Sequence, residues 1–299
     1  MEYRVLGKTG EKVPVIGIGT WKMVESQANV DAIRTGIKHG TTLVDTAEMY
    51  GNEAMVGEAI KGMGDVFVAT KVAPHNFRYN DVIRACEASI GRLGVKQIDL
   101  YQLHWPNHSV PIAETMRAME QLKKDGKIRH IGVSNFDVKE LEEAQYALKS
   151  DEIVSNQVEY SILVRGVERD LIGYCKKNSV TVIAYSPLAR GAIFSKKYEQ
   201  LRAMLAKLGE NHEKSAAQVA LNWLVSKENV MAIPKASDKR HAIENAEASG
   251  WSLTKGEMAE INSFLSRVKR RSMTWAFTPV IKRSGFWSRR MTPKERANP

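Results

Sequence analysis

Four side chains in the first third of the chain, Asp45, Tyr50, Lys71 and His104, each stand at or just beyond the end of a short β-prone run. Asp45 and Tyr50 belong to Val44-Asp45-Thr46-Ala47-Glu48-Met49-Tyr50-Gly51, where such a run gives way to a helical pattern opening near Asn52. Lys71 follows Val66-Phe67-Val68-Ala69-Thr70, and His104 follows Ile98-Asp99-Leu100-Tyr101-Gln102-Leu103. A Lys at the end of an apolar strand needs a carboxylate, because a lone buried charge is costly, and Asp45 on the neighbouring strand supplies one. A cation beside a phenol favours phenolate, so the spacing predicts a Tyr50 pKa lowered from about 10. Such a phenol can pass a proton to a carbonyl oxygen while hydride arrives at carbon. His104 would orient and polarise that carbonyl. Each residue taken singly has an ordinary reading: a capping Asp, a packed Tyr, a structural Lys ion pair, a satisfied loop His. The set at neighbouring strand ends is what packing does not explain.

Positioning them requires a repeated strand–helix alternation. The opening Tyr3 to Ile16 reads as two short strands about a Lys-Thr-Gly-Glu turn. Eight β-rich runs follow: Gly17 to Trp21, Thr42 to Ala47, Val66 to Val72, Ile98 to His104, Arg129 to Ser134, Val154 to Glu159, Thr181 to Tyr185 and Val230 to Pro234. Amphipathic stretches such as Val30-Ile33-Ile37 and Ile112-Met116-Met119-Leu122 lie between them, the latter stopped by Lys123-Lys124-Asp125-Gly126. Eight such units over about 250 residues predict an α/β fold, a (β/α)8 TIM barrel with an N-terminal β-hairpin. The alternative, a doubly wound open sheet, lacks its fingerprint, since Gly17-Ile18-Gly19-Thr20-Trp21-Lys22 has no third glycine in place. Extended loops follow the fourth strand (Pro106 to Pro111) and the seventh (Leu188 to Lys214); the second is charged and reads as mobile. Both follow strands, the side on which barrel sites are built. A last helix, Thr254 to Phe264, opens on a capping-box pattern, Thr254-Lys255-Gly256-Glu257.

The 299 residues, 43% apolar, suffice for one barrel domain over 1–266 and exclude wholesale disorder. The net charge of +10 resembles a nucleic-acid signal until it is located. From Arg267 onward, ten Lys or Arg face the single acid Glu295, so residues 267–299 form a basic C-terminal extension and the body is nearly neutral. Nucleic-acid binding by the body is therefore not expected. The tail, with Lys282-Arg283-Ser284-Gly285-Phe286-Trp287-Ser288-Arg289-Arg290, is a solvated end or a contact for phosphates or acidic membranes. No apolar run approaches the roughly 18 residues of a membrane span, and Met1-Glu2-Tyr3-Arg4 opens no signal-peptide core, so the expectation is cytoplasmic with no membrane partner. Cys86 and Cys175 lie in helical patterns and read as reduced core thiols. No ligand set for a metal is evident.

The residues in order are similar to those of the aldo-keto reductase family, in its prokaryotic type, over roughly residues 3 to 265. The matching stretches are Gly17-Ile18-Gly19-Thr20-Trp21, Asp45-Thr46-Ala47-Glu48-Met49-Tyr50-Gly51 and Ala69-Thr70-Lys71. Asp99 to Trp105, Gly132 to Phe136, Asn156 to Tyr160, Ala184 to Leu188 and Ile233 to Ser237 continue the match. The resemblance implies an NAD(P)H-dependent carbonyl reductase with a tetrad of Asp45, Tyr50 (the proton donor), Lys71 and His104. It also implies that Ser134, Asn135 and Gln157 hold the nicotinamide carboxamide and that Tyr185 stacks on the nicotinamide ring. Ser186, Leu188 and the backbone near Gly191 would line the pyrophosphate. Lys235 and Ser237 would contact the 2′-phosphate of NADPH, and Glu244 and Asn245 the adenine.

One departure bears on the cofactor. The family often has an Arg six residues after the Lys matching Lys235; here that position is His241, with Arg240 just before it. An imidazole cannot clamp a phosphate bidentately, although Arg240 could substitute. NADPH is expected over NADH, by a smaller margin than is usual in the family. Trp21, Tyr50, His104 and Trp105, with Met49, would wall a largely apolar pocket suited to aldehydes and small ketones and free of an anion-specific Arg. Trp275 and Phe277 are the C-terminal candidates to cover it. Two other readings stand beside the reductase: a Schiff-base lyase using Lys71, and a cofactor-binding regulatory subunit without turnover. Nothing in the sequence marks a dimer interface, so a monomer acting on a small carbonyl is expected.

Overall fold

The computed structural model describes residues 1–267. Tyr3–Val5 (β1) and Lys12–Pro14 (β2) pair antiparallel, Tyr3 opposite Pro14, and form the expected hairpin. Eight parallel strands follow in chain order: Ile18–Gly19 (β3), Leu43–Asp45 (β4), Phe67–Val72 (β5), Ile98–Leu103 (β6), Ile128–Ser134 (β7), Ile153–Glu159 (β8), Thr181–Tyr185 (β9) and Val230–Ala232 (β10). Each is hydrogen-bonded to the next, and the sheet closes between its first and last members. Gly17 and Gly19 donate to the carbonyls of Ala232 and Pro234, and Ala232 donates to Val15. Gly19 is required at this seam, because a Cβ there would lie 2.6 Å from the Ile233 carbonyl oxygen. The fold is the (β/α)8 barrel.

Helices alternate with the strands and wrap the outside: Gln27–Lys38 (α1), Glu53–Ile60 (α2), Tyr79–Leu93 (α3), Ile112–Lys124 (α4), Val138–Ala147 (α5) and Leu171–Lys177 (α6). Their apolar stripes face the sheet. Val30, Ile33 and Ile37 of α1 and Met116, Met119 and Leu122 of α4 are buried, as their spacing predicts. Cys86 of α3 and Cys175 of α6 are free and fully buried, and burial pushes both thiols up to about 12. They behave as small core hydrophobes.

The long stretch after β9 departs from expectation. Instead of a mobile loop it carries a helix, Glu199–Glu210 (α7), packed against Ala216–Val225 (α8). Leu201, Leu205 and Leu208, spaced by four and three, bury one face, and the lysines that suggested a loop, Lys196 and Lys197, lie in the turn just before the helix. Lys239–Ala246 (α9) follows β10, and Lys255–Arg267 (α10) ends the described chain. The α10 capping box is formed: Glu257 N–H donates to Thr254 Oγ1 and Thr254 N–H donates to Glu257 Oε2. No helix among the described residues is long and apolar enough to cross a membrane. Trp275, Phe277 and the basic run from Lys282 lie outside the described residues.

The barrel interior changes character along its axis. At the N-terminal end Leu43, Phe67, Leu100, Val154, Ile183 and Met231 make an apolar plug, sealed by Leu6 and Val13 of the hairpin region. Two residues further along the strands the inward positions become polar: Asp45 after Leu43, Lys71 after Ala69, Gln102 after Leu100, and Gln157 after Ser155. The inward carboxylate and ammonium, Asp45 and Lys71, both lie at that end.

Candidate active site

Asp45 ends β4, Lys71 lies near the end of β5, and His104 follows β6 directly, so three adjacent strands deliver three of the four expected residues to one rim. Tyr50 comes from the single helical turn Glu48–Tyr50, which Gly51 terminates in the left-handed conformation (φ 68°). Lys71 is fully buried. Its Nζ donates to Asp45 Oδ1 at 2.6 Å and to the Thr46 carbonyl at 2.7 Å, and lies 5.0 Å from the centroid of the Tyr50 ring. The four residues of the tetrad are thus brought together.

Their protonation states follow from burial. Burial pushes the Tyr50 phenol well above its ordinary value, and the Asp45 carboxylate adds to the rise. The lowered pKa expected from the neighbouring ammonium is not found. The Lys71 charge is spent on Asp45 at 2.6 Å, so the phenol faces a neutralised pair in a dry site. Burial pulls the Lys71 pKa down while Asp45 works against it. Burial, followed by the Lys71 charge, holds His104 well below the usual imidazole range. Among the described residues His104 Nδ1 is buried without a hydrogen-bond partner, and the neutral tautomer that carries its proton on Nε2 suits that position. The site therefore presents a protonated phenol and a neutral imidazole.

Beside this set lies a second polar cluster at the ends of β7, β8 and β9. Ser134 Oγ donates to the Gln157 carbonyl at 2.9 Å, and Asn135 Nδ2 donates to the His104 carbonyl at 3.0 Å. The half-buried Tyr185 donates through its hydroxyl to Asn135 Oδ1 at 2.9 Å. Asn135 (φ 65°) and Ser186 (φ 49°) adopt the left-handed conformation, which turns the chain sharply off the ends of β7 and β9. Ala189, Arg190 and Gly191 continue it beyond Leu188, so the backbone after β9 forms a tight bend over the rim. Gln157 turns its side-chain amide toward the acid: Nε2 donates to Asp45 Oδ2 at 2.7 Å.

The residues expected to meet the far end of a dinucleotide are less uniform. Lys235, Ser237 and Arg240 are exposed around the start of α9. Arg240 Nη2 lies 3.2 Å from His241 Nε2, and the His241 ring is held by Asp238, whose Oδ1 also caps α9 by accepting the His241 N–H. Asn245 is buried beside a small cavity lined by Gly36, Thr41 and Pro234. Glu244 accepts a hydrogen bond from Ser215 Oγ, the N-cap of α8, and so serves the scaffold here.

Two features escaped the sequence reading. Gln102, fully buried, directs its side-chain amide at Asp45 Oδ2 (3.2 Å); a Gln on the inward face of an otherwise apolar strand was the available signal. The mouth, expected to be free of an anion-specific Arg, has Arg190 beside it, set against a carboxylate. Its guanidinium stands 5.1 Å over the Trp21 ring and 3.7 Å from the buried Glu159, while Lys22 stands 4.7 Å from the same ring. Trp21, Met49 and Trp105 are half-buried around the opening.

Comparison with known proteins places the chain among characterised relatives. Residues 15–266 match the Aldo/keto reductase family. The chain is 40% identical to the methylglyoxal reductase YeaE of Escherichia coli over 271 residues, 88% of this chain and 95% of that one. It is 36% identical to the glyoxal reductase of Bacillus subtilis, over 85% of this chain and 90% of that one. A crystal structure of an aldo-keto reductase from Klebsiella pneumoniae in complex with NADPH superposes with a TM-score of 0.83. That structure is 36% identical, and the alignment covers 91% of this chain and all of that one (100%).

Proposed function

Because the chain belongs to the aldo/keto reductase family, and is with it an NAD(P)H-dependent oxidoreductase, we propose that it reduces small aldehydes and ketones to alcohols with NADPH. Tyr50 is the proton donor in this reading. The observation that carries it is the ammonium of Lys71 behind the phenol, 5.0 Å from the ring centroid and 2.6 Å from Asp45.

The residues present fit the cofactor. Ser134, Asn135 and Gln157 offer amide and hydroxyl groups for a carboxamide, the half-buried Tyr185 ring offers a face for the nicotinamide, and Ser186, Leu188 and Gly191 bend over the rim where a pyrophosphate would run. Lys235, Ser237 and Arg240 are free to meet a 2′-phosphate at the start of α9, with Glu244 and Asn245 on the same helix toward the adenine. When bound, the nicotinamide supplies hydride to the carbonyl carbon.

The rest is done by the chain. His104 donates from Nε2 to the substrate oxygen, which orients the carbonyl and polarises it. Tyr50 Oη delivers its proton to the same oxygen as charge develops there. The raised phenol pKa keeps the proton on Oη at neutral pH, so transfer waits for negative charge to develop on the substrate oxygen. Asp45 holds Lys71 in place and keeps it charged. Trp21, Met49 and Trp105 exclude water from the opening. Lys71 donates to both Asp45 and Thr46, which supports its place in the tetrad over the reading of Lys71 as a Schiff-base nucleophile. The relatives named for methylglyoxal and glyoxal reduction favour short 2-oxoaldehydes as the first substrates to try.

The test is NADPH consumption with a panel of such carbonyls, comparing the parent with Tyr50→Phe. Loss of about 10²–10⁴-fold in kcat, with NADPH still bound, is the expected outcome. Tight NADPH binding with no turnover on any carbonyl would replace this reading with that of a regulatory subunit.

A further inference from the structure

The Asp45 carboxylate has two oxygens in different company. Oδ1 takes Lys71, whereas Oδ2 accepts from two amides at once, Gln157 Nε2 at 2.7 Å and Gln102 Nε2 at 3.2 Å. The two amides also meet each other, Gln157 Nε2 lying 3.3 Å from Gln102 Oε1. All three side chains are buried, and Asp45 and Gln157 are 112 residues apart in the chain. Space for this arrangement is built in. Gln102 is level with Gly132 on the next strand, and a Cβ on Gly132 would lie 2.9 Å from Gln102 Cγ and 2.6 Å from Ser155 Oγ. A larger residue at 132 would drive Gln102 off Asp45.

A buried carboxylate oxygen cannot lose its donors freely, because the unpaired acceptor keeps the whole cost of its lost hydration. Gln157 is the donor at issue. In the function proposed above its amide is claimed by the nicotinamide carboxamide, which draws it from Asp45. We propose that Gln102 is a positioning residue that makes this exchange possible: it retains Asp45 Oδ2 when Gln157 turns to the cofactor, and so keeps the Asp45–Lys71 pair in register behind Tyr50. The inference rests on the cofactor reading of Gln157. It gives that residue a second state and assigns Gln102, a residue with no part in the chemical step, the task of covering the change.

The test compares two ligands on the full chain: NADP+, and 2′-phospho-ADP-ribose, which lacks only the nicotinamide. Gln102→Met preserves side-chain length beside Gly132 and removes both amide groups. In that variant the release of Gln157 would strand Asp45 Oδ2, so NADP+ should bind about tenfold more weakly, the scale of one lost hydrogen bond to a charged group. The truncated ligand should change less than twofold. The melting temperature of the free protein should stay near that of the parent, since Gln157 still serves Asp45 there. Equal changes for both ligands, no change for either, or a lower melting temperature with no ligand-specific effect would overturn the proposal. If Gln102→Met does not fold, Gln102→Leu replaces it with the same expectations. A parent that binds neither ligand would instead remove the cofactor reading itself, which is a distinguishable result.

Discussion

The His104 ring meets the Tyr50 ring edge-on, with centroids 5.5 Å apart and planes at 76°. One residue follows β6 and the other belongs to the helical turn after β4, so the contact spans the ends of three neighbouring parallel strands, β4, β5 and β6. It sets two hydrogen-bond donors beside each other at the opening, one pushed to stay neutral and the other to stay protonated.

That pairing predicts a flat pH profile for reduction. His104, with its pKa lowered, becomes charged only below the ordinary imidazole value of about 6.5, and Tyr50, with its pKa raised, keeps its proton beyond about 10. Between those limits kcat for carbonyl reduction should not vary by more than about twofold. The check is kcat against pH in both the parent and Glu48→Gln, because Glu48 titrates near 7 in the same turn as Tyr50. A neutral-pH limb that persists in the variant would show that Tyr50 or His104 ionises where it should not.

Glu48 itself yields a stability prediction. Burial pushes its carboxyl from 4.5 up to about 7, against hydrogen bonds from the Ala73 N–H and Asn76 Nδ2. A raised pKa means the folded state holds the proton more tightly than the unfolded state. The contribution to stability is thus full below about 4.5 and is lost as pH rises through about 7. Glu48→Gln retains an acceptor for Asn76 and has no charge to form. It should match the parent near pH 5 and exceed it at pH 9 by up to about 3 kcal/mol, from 1.36 kcal/mol per pKa unit. Urea unfolding at the two pH values measures this; equal gains at both would mean that packing, not ionisation, is responsible.

The Asp45–Lys71 pair should separate folding from catalysis. Lys71→Met leaves a buried carboxylate without its cation and should cost about 3–5 kcal/mol of stability. Asp45→Asn combined with Lys71→Met removes both charges and should recover most of that loss, while reductase turnover stays absent in single and double variants alike. Melting temperatures and NADPH-dependent turnover on the same preparations decide it. A double variant no more stable than Lys71→Met would show that the pair's neighbours, Thr46 and the two glutamines, depend on its charge.

The grouping of Asp45, Tyr50, Lys71 and His104 was legible because three of them stand at strand ends and Tyr50 lies in the loop after one, and neighbouring parallel strands carry their ends to one rim. Strand limits agree to within a few residues for the same reason, although Gly17 to Trp21 shortens to Ile18–Gly19 where the seam closes. The Gln102–Gln157–Asp45 contact was not legible, since it joins residues on non-adjacent strands through a gap opened by Gly132. The Tyr50 pKa was misjudged because sequence placed the cation beside the phenol without showing how closely Asp45 holds it. Helix α7 carried its apolar spacing in plain view, at Leu201, Leu205 and Leu208, but the lysines before it suggested a loop.

His241 offers the sharpest question about the cofactor. Its ring is tied to Asp238, and Arg240 leans on it at 3.2 Å, so at the start of α9 an imidazole stands where a guanidinium would grip a phosphate with two parallel bonds. His241→Arg should raise NADPH affinity about tenfold, the scale of a charge-assisted hydrogen bond, and leave NADH affinity unchanged. The Asp238 cap should survive, because Oδ1 accepts the backbone N–H of residue 241 and not its ring. Lys235→Ala should act in the opposite direction, lowering NADPH affinity alone. Titration of nicotinamide fluorescence with both cofactors on the parent and the two variants gives the ratios directly. If neither substitution moves the ratio, the 2′-phosphate is not held at the start of α9, and Lys235, Ser237 and Arg240 lose their assigned part together.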